Sequence, residues 1–288
     1  MCRLFGLSAG SARVRATFWL LDAPDSLEAQ SYRNPDGSGI GYFGPDGTAV
    51  LDKSPEPAFG DKEFIHEATE VESALFVAHV RYATTGGRTV RNTHPFAMAN
   101  RIMAHNGGFG ELDRLDAQLG SYADLVLGDT DSERYFALIT QQADRSGGDV
   151  GAGLAQAARW IAAHLPVSSL NAVVASSGEL WALRYPATRA LHVIERPAGQ
   201  SQPAVGQAGH RGLHVRSATS SVRVPALHER DSVVVASEQL DGETGWRMLA
   251  PGELVHVASD LSMESTIALT DPPARMLSSV GPDPNIDT

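Results

Sequence analysis

The chain of 288 residues has one cysteine, Cys2. An intramolecular disulfide is therefore excluded, and the fold must rest on its core, which fits a reducing, cytoplasmic setting. Positive charge is also short, with 23 Lys and Arg against 34 Asp and Glu and a formal net charge of −11. Such an acidic chain is poorly suited to grip nucleic acid or anionic lipid through bulk charge. No apolar run approaches the roughly 20 residues that a membrane-spanning helix needs. Arg13 and Arg15 interrupt the apolar stretch that a secretion signal at the N-terminus would require, so the start reads as the first strand of the mature chain. Metal-ligand spacing is missing too. His79, His94 and His105 form no His-Glu-x-x-His pattern and there is no second Cys, so no metal is expected. Gly6, Gly10 and the Gly37, Gly39, Gly41 series lack a following Lys-Ser or Lys-Thr, so no phosphate loop and no nucleotide cofactor is expected. There is no internal repeat and no linker that would divide the chain.

What remains is an ordinary globular mixture, 42% hydrophobic and 20% charged, which is enough to build a large core. Strands are expected over 2–8, 38–43, 48–52, 74–81 and 101–105. Gly44-Pro45-Asp46-Gly47 closes the hairpin between the second and third of these. A short helix is expected over 61–69, and two longer ones over 131–145 and 150–165. The first of the long pair opens on a capping box, with Thr130 as the cap and Glu133 reaching back. Strands follow at 170–176, 180–184, 191–195, 213–218, 232–237 and 253–258. The Gly- and Pro-rich stretch 197–212 reads as a loop. Helices in the middle with strands on both sides point to a layered α+β domain over 1–269, with a loose tail over 270–288.

The chemistry gathers at Cys2 and at the ends of strands. Once Met1 is trimmed, Cys2 carries a thiol and a free α-amine together. The amine, with a reference pKa of about 7.7–8.0, can serve as the base that activates the thiol. Consider next what an amino acid with a side-chain amide would ask of a site. Its α-carboxylate wants a guanidinium fork, which Arg81 offers, and Thr84 can add a hydroxyl. Its α-ammonium wants a carboxylate, which Asp131 offers from the first turn of a helix, where the dipole keeps it ionised. The reacting carbonyl wants donors for its oxyanion, and the Asn106 side chain with the Gly107 N–H has that pattern. Each residue also has a plain structural reading: Arg81 as a strand-end ion pair, Asn106-Gly107 as a turn, Asp131 as a first-turn acid.

Taken together, five segments resemble the glutaminase domain of class II glutamine amidotransferases, which are N-terminal nucleophile (Ntn) hydrolases. They are Met1-Cys2-Arg3-Leu4-Phe5-Gly6, His79-Val80-Arg81-Tyr82-Ala83-Thr84, Asn92-Thr93-His94-Pro95-Phe96, His105-Asn106-Gly107 and Thr130-Asp131-Ser132-Glu133, in the family's order. In the second half, the 233–238 strand and Gly245-Trp246 resemble stand-alone members, including the ergothioneine-pathway γ-glutamyl amidohydrolase. The resemblance implies a four-layer αββα sandwich and a Cys2 nucleophile acting on a small γ-glutamyl amide. It further implies Asn106 and Gly107 at the oxyanion, Arg81, Thr84 and Asp131 on the substrate, and Tyr82 and His94 shaping the pocket. Two positions depart from the family pattern. Thr85 stands where a His is common, which implies a different closure. Ser38 replaces a Trp, which implies a wider site than glutamine needs. Three functions remain open: a stand-alone γ-glutamyl hydrolase, a glutaminase subunit feeding a synthase partner, and a non-catalytic γ-glutamyl-binding regulator. The sequence also leaves open whether copies of the chain form a homo-oligomer.

Overall fold

The computed structural model describes residues 2–83, 86–199 and 230–277. Two antiparallel sheets lie face to face. The first has β1 (Arg3–Ser8) at its centre, flanked by β10 (Ser232–Ala236) and β4 (Leu75–Val80). Beyond β4 come β2 (Ser38–Phe43) and β3 (Ala49–Ser54), and beyond β10 come β9 (His192–Arg196) and β11 (Arg247–Met248). The second sheet runs in the order β13 (Met263–Ile267), β12 (Glu253–Val257), β8 (Glu179–Leu183), β7 (Pro166–Ser176), β6 (Arg101–Phe109), β5 (Phe96–Met98).

Strand pleating sorts the side chains into layers, because successive residues point to opposite faces. In β1, Leu4 packs into the layer between the sheets and Gly6 meets Val173 and Leu180 there. Phe5 and Leu7 face the other way. They bury against Trp19, Leu20 and Leu27, together with Phe64 and Ala68 of α2 (Lys62–Glu70). Leu27 opens the short helix α1 (Leu27–Ser31). On the far side of the second sheet, Met103, Val174, Trp181 and Leu183 pack against α3 (Leu112–Leu119), α4 (Asp131–Arg145) and α5 (Val150–His164). Helices, sheet, sheet and helices make the four-layer αββα sandwich.

The helices start where their caps stand. Asp61 accepts from the Glu63 and Phe64 N–H groups at the head of α2, and Asp149 accepts from Ala152 N–H at the head of α5. Thr130 caps α4 as expected, accepting from Glu133 N–H at 3.2 Å. Glu133 does not close the reciprocal box. Its Oε2 reaches past the cap to Gly128 N–H at 2.6 Å and so holds the turn that leads into α4.

The main departures from the sequence reading lie in the second sheet. β6 does not stop at His105 but runs through Asn106-Gly107-Gly108 to Phe109, paired with β7 throughout. The Asn-Gly pair is therefore strand, because a neighbouring strand satisfies its backbone. Residues 270–277, assigned above to the loose tail, dock instead. Within them β14 (Arg275–Met276) pairs with β7 in parallel, and Arg275 forms an ion pair with Glu111. The strand expected over 213–218, most of the 197–212 loop and positions 278–288 lie outside the described residues.

Candidate active site

Cys2 sits one residue before β1, on the face that Leu4 and Gly6 turn toward the second sheet. It is partly exposed. Its Sγ lies against the backbone of Tyr82, accepting from the N–H at 3.2 Å and facing the carbonyl at 3.3 Å. Burial pushes the thiol up. The Tyr82 N–H and the positive charge of Arg81 oppose that, and Asp131 adds to it. Both of the charged groups singled out in the sequence therefore act on the sulfur.

Arg81 follows β4 and is 3% exposed. Its guanidinium donates to the Gly86 and Gly87 carbonyls, each at 3.2 Å. Burial works against its charge, and Cys2, Asp36 and Asp131 support it. The backbone here is clamped from a second segment. Arg81 N–H donates to Gly37 O at 2.7 Å, Asp36 N–H donates to Arg81 O at 3.0 Å, and Asp36 Oδ2 accepts from Ala83 N–H at 2.9 Å. Asn92 ties the far end of the same loop. Its amide donates to Gly87 O and to Asp129 Oδ2, and its Oδ1 accepts from Asp129 N–H at 2.9 Å. One carboxamide thus joins the Arg81 loop to the turn that begins α4.

Asp131 is 6% exposed. Its Oδ2 accepts from Phe109 N–H at 3.2 Å and its Oδ1 from Ser132 N–H at 2.9 Å. These bonds place it beside the end of β6, where Asn106 points into the layer between the sheets with Ile102 and Ala104. The Asn106 Nδ2 donates to Ser237 Oγ at 3.4 Å. Gly107 has no room for a side chain, since a Cβ there would lie 1.9 Å from Ser169 O of β7. The close approach of the two strands therefore requires glycine beside Asn106. His105, one residue earlier, faces α4. Its Nε2 meets Ser169 O at 3.1 Å and so carries the proton, which leaves Nδ1 to accept from Ser132 Oγ at 2.9 Å.

Cys2, Arg81, Asn106, Gly107 and Asp131 are thus brought together from β1, β4, β6 and α4. The other expected residues are placed as follows. His94 is 4% exposed and packs in the interior against His79, with ring centroids 4.2 Å apart and planes tilted by 35°. Its backbone also passes close to β2, where a Cβ at Gly39 would lie 2.4 Å from the His94 carbonyl. Tyr82 serves through its backbone, and its side chain is 47% exposed. Ser38 shares the parity of Ile40, which faces the helices, and its Oγ donates to Glu56 O at 3.0 Å. Its replacement of a Trp therefore does not open the space beside Cys2. Thr84 and Thr85 lie outside the described residues. Sequence reasoning missed Asp36 and Ser237, which are linked to the site only through the fold. No group of three or more His, Cys, Asp or Glu among the described residues has the geometry to hold a metal ion.

This two-sheet sandwich, with a nucleophile at the start of a central strand, is the architecture of the Ntn hydrolases. Residues 1–276 match the family described as class-II glutamine amidotransferases, and the chain belongs to that family. The gamma-glutamyl-hercynylcysteine sulfoxide hydrolase of Mycobacterium tuberculosis is 28% identical over 89% of this chain and 93% of its own length. A protein named as a probable glutamine amidotransferase in Saccharomyces cerevisiae is 29% identical over 52% of this chain. The chain spans about half of that relative's length, 47%. Among solved structures, a glutamine aminotransferase class-II domain protein from Silicibacter pomeroyi superposes with a TM-score of 0.58. That match covers 92% of this chain and 98% of the other, at 19% identity, and speaks to the fold.

Proposed function

We propose that the chain hydrolyses the amide bond of a small γ-glutamyl compound, with Cys2 as nucleophile after removal of Met1. The observation that carries this reading is the placement of Cys2 Sγ on the Tyr82 backbone, within the fields of Arg81 and Asp131. A thiol that burial makes harder to ionise needs a base next to it, and the α-amine of a processed Cys2 is one. In this reading the amine takes the thiol proton and Sγ attacks the γ-carbonyl. Asn106 Nδ2 and the Gly107 N–H hold the oxyanion. The C–N bond then breaks as the protonated amine gives its proton to the leaving nitrogen, and water cleaves the γ-glutamyl thioester to free glutamate and Cys2. Arg81 holds the α-carboxylate, with Thr84 as a second donor, and Asp131 holds the α-ammonium.

The match along nearly the whole length of the mycobacterial hydrolase supports a chain that acts on a γ-glutamyl conjugate by itself. A glutaminase subunit serving a synthase is the second reading, because the yeast relative extends well beyond the matched region. A substrate panel on the purified chain tests both. Glutamate release is compared for glutamine, γ-glutamyl peptides and γ-glutamyl amines, with Cys2→Ala as the control. Turnover of one conjugate well above glutamine, lost in Cys2→Ala, is the expected result. Weak turnover of glutamine that rises only with a co-purifying protein favours the subunit, and full activity in Cys2→Ala sinks the nucleophile assignment.

A further inference from the structure

Ser237 makes a polar contact between the two sheets, next to β1. It follows β10 and is 4% exposed. Its Oγ accepts the Leu4 N–H at 2.9 Å and one Nδ2–H of Asn106 at 3.4 Å, while its own N–H donates to Leu4 O at 3.1 Å. Leu4 is two residues from Cys2 on the first sheet, and Asn106 belongs to the second. One hydroxyl therefore touches both the strand behind the nucleophile and the side chain across from it. Glu238 adds a second hold on the same strand. Its carboxylate pairs with Arg3 at 2.7 Å, and Arg3 Nη1 donates to the Cys2 carbonyl at 3.3 Å.

An asparagine amide carries two N–H donors and one oxygen that only accepts. With Leu4 N–H on one lone pair of Ser237 Oγ, the other lone pair takes a single Asn106 N–H and leaves the second N–H free for a ligand. The contact fixes where the carboxamide sits, not which of its ends faces the strand, because a turned amide would accept through Oδ1 from the Ser237 O–H. At 3.4 Å the bond is long, so its value lies in placement more than in binding energy.

We infer that Ser237 is a positioning residue that holds the Asn106 amide in place against β1, the strand that follows Cys2. This rests on the reading of Cys2 and Asn106 given above. The test uses the full chain with Met1 removed and its best γ-glutamyl substrate. Ser237→Ala is expected to lower kcat about tenfold and leave KM within about twofold, a smaller loss than the roughly 10²–10³-fold of deleting an oxyanion donor outright. Ser237→Thr, which keeps the hydroxyl, restores most of kcat. In an Asn106→Ala background, Ser237→Ala changes kcat by less than about twofold, because the group it positions is gone. An equal loss of kcat in both backgrounds would mark Ser237 as merely structural and overturn the inference, as would a rise in KM alone or unchanged kinetics. If Ser237→Ala fails to fold, Ser237→Cys carries the same comparison, since it keeps the volume but accepts hydrogen bonds weakly. Wild-type turnover in Cys2→Ala would defeat the underlying reading, whatever Ser237 does. Loss in Cys2→Ala with no effect at Ser237 defeats the positioning role alone.

Discussion

Cys2 is held by backbone rather than by a charged base. Its sulfur rests between the N–H and carbonyl of Tyr82, and burial keeps the thiol protonated. In the mechanism proposed above, activation falls to the α-amine on the same residue. The proposed task of Asp131 is different, at the end of the substrate that does not react. Asp131→Asn keeps the shape and removes the charge. It is expected to raise KM about 10–100-fold and change kcat little, as fits the loss of a charge-assisted hydrogen bond to a non-reacting group. Steady-state kinetics decide the role, and a fall in kcat at constant KM contradicts it. The sequence singles out Cys2, Arg81, Asn106 and Asp131 because each proposed task demands one kind of side chain: a thiol, a guanidinium, a carboxamide, a carboxylate. The burial of His94, the backbone contact of Tyr82 with Cys2 and the outward face of Ser38 could not be read locally, because each depends on how distant segments pack. Ser237 was invisible because its partners, Leu4 and Asn106, lie 233 and 131 residues away.

Among the elements, β4 and β6 carry the site at their ends and a histidine layer behind it. His79, His94 and His105 are all buried, and burial lowers the pKa of each, that of His79 to about 3. Neighbours add to this. Arg81, His105 and Lys53 bear on His94 or His79, while Asp131 and the Ser169 carbonyl partly support a charge on His105. In the unfolded chain these rings take up protons near pH 6.5, the ordinary histidine value. The fold takes them up only at lower pH, well below that value for His79 and His94. Between about pH 6.5 and 3 the unfolded state thus binds more protons, and stability falls as pH falls, by about 1.4 kcal/mol per pH unit for each ring that stays neutral. His94→Phe, which keeps a ring and removes one titrating group, is expected to flatten the decline of Tm between pH 7 and 4. An unchanged slope would show that His94 does not contribute. Most strands and both long helices could be read from periodicity, turns and caps. The run of β6 through Asn106-Gly107-Gly108 could not, because a local turn signal yields to the pairing that β7 supplies.

At the scale of the whole molecule, the sandwich brings Cys2 on one sheet opposite Asn106 on the other. Neither sheet holds the site alone. The layered α+β class could be read from the order of helices and strands, but the apposition of the sheets depends on pairings such as β1 with β10, far apart in the chain. It follows that chemistry at Cys2 reports on the whole arrangement, and labelling measures it directly. The protein is incubated with a glutamine analogue in which a diazoketone replaces the side-chain amide, with Cys2→Ala in parallel. Intact mass and peptide mapping follow. The account predicts a chain that lacks Met1 and carries one adduct on Cys2, with glutamate release lost in step with labelling. A processed, catalytically active chain whose Cys2 stays unlabelled while activity persists, or an adduct at another residue that abolishes activity, would contradict it.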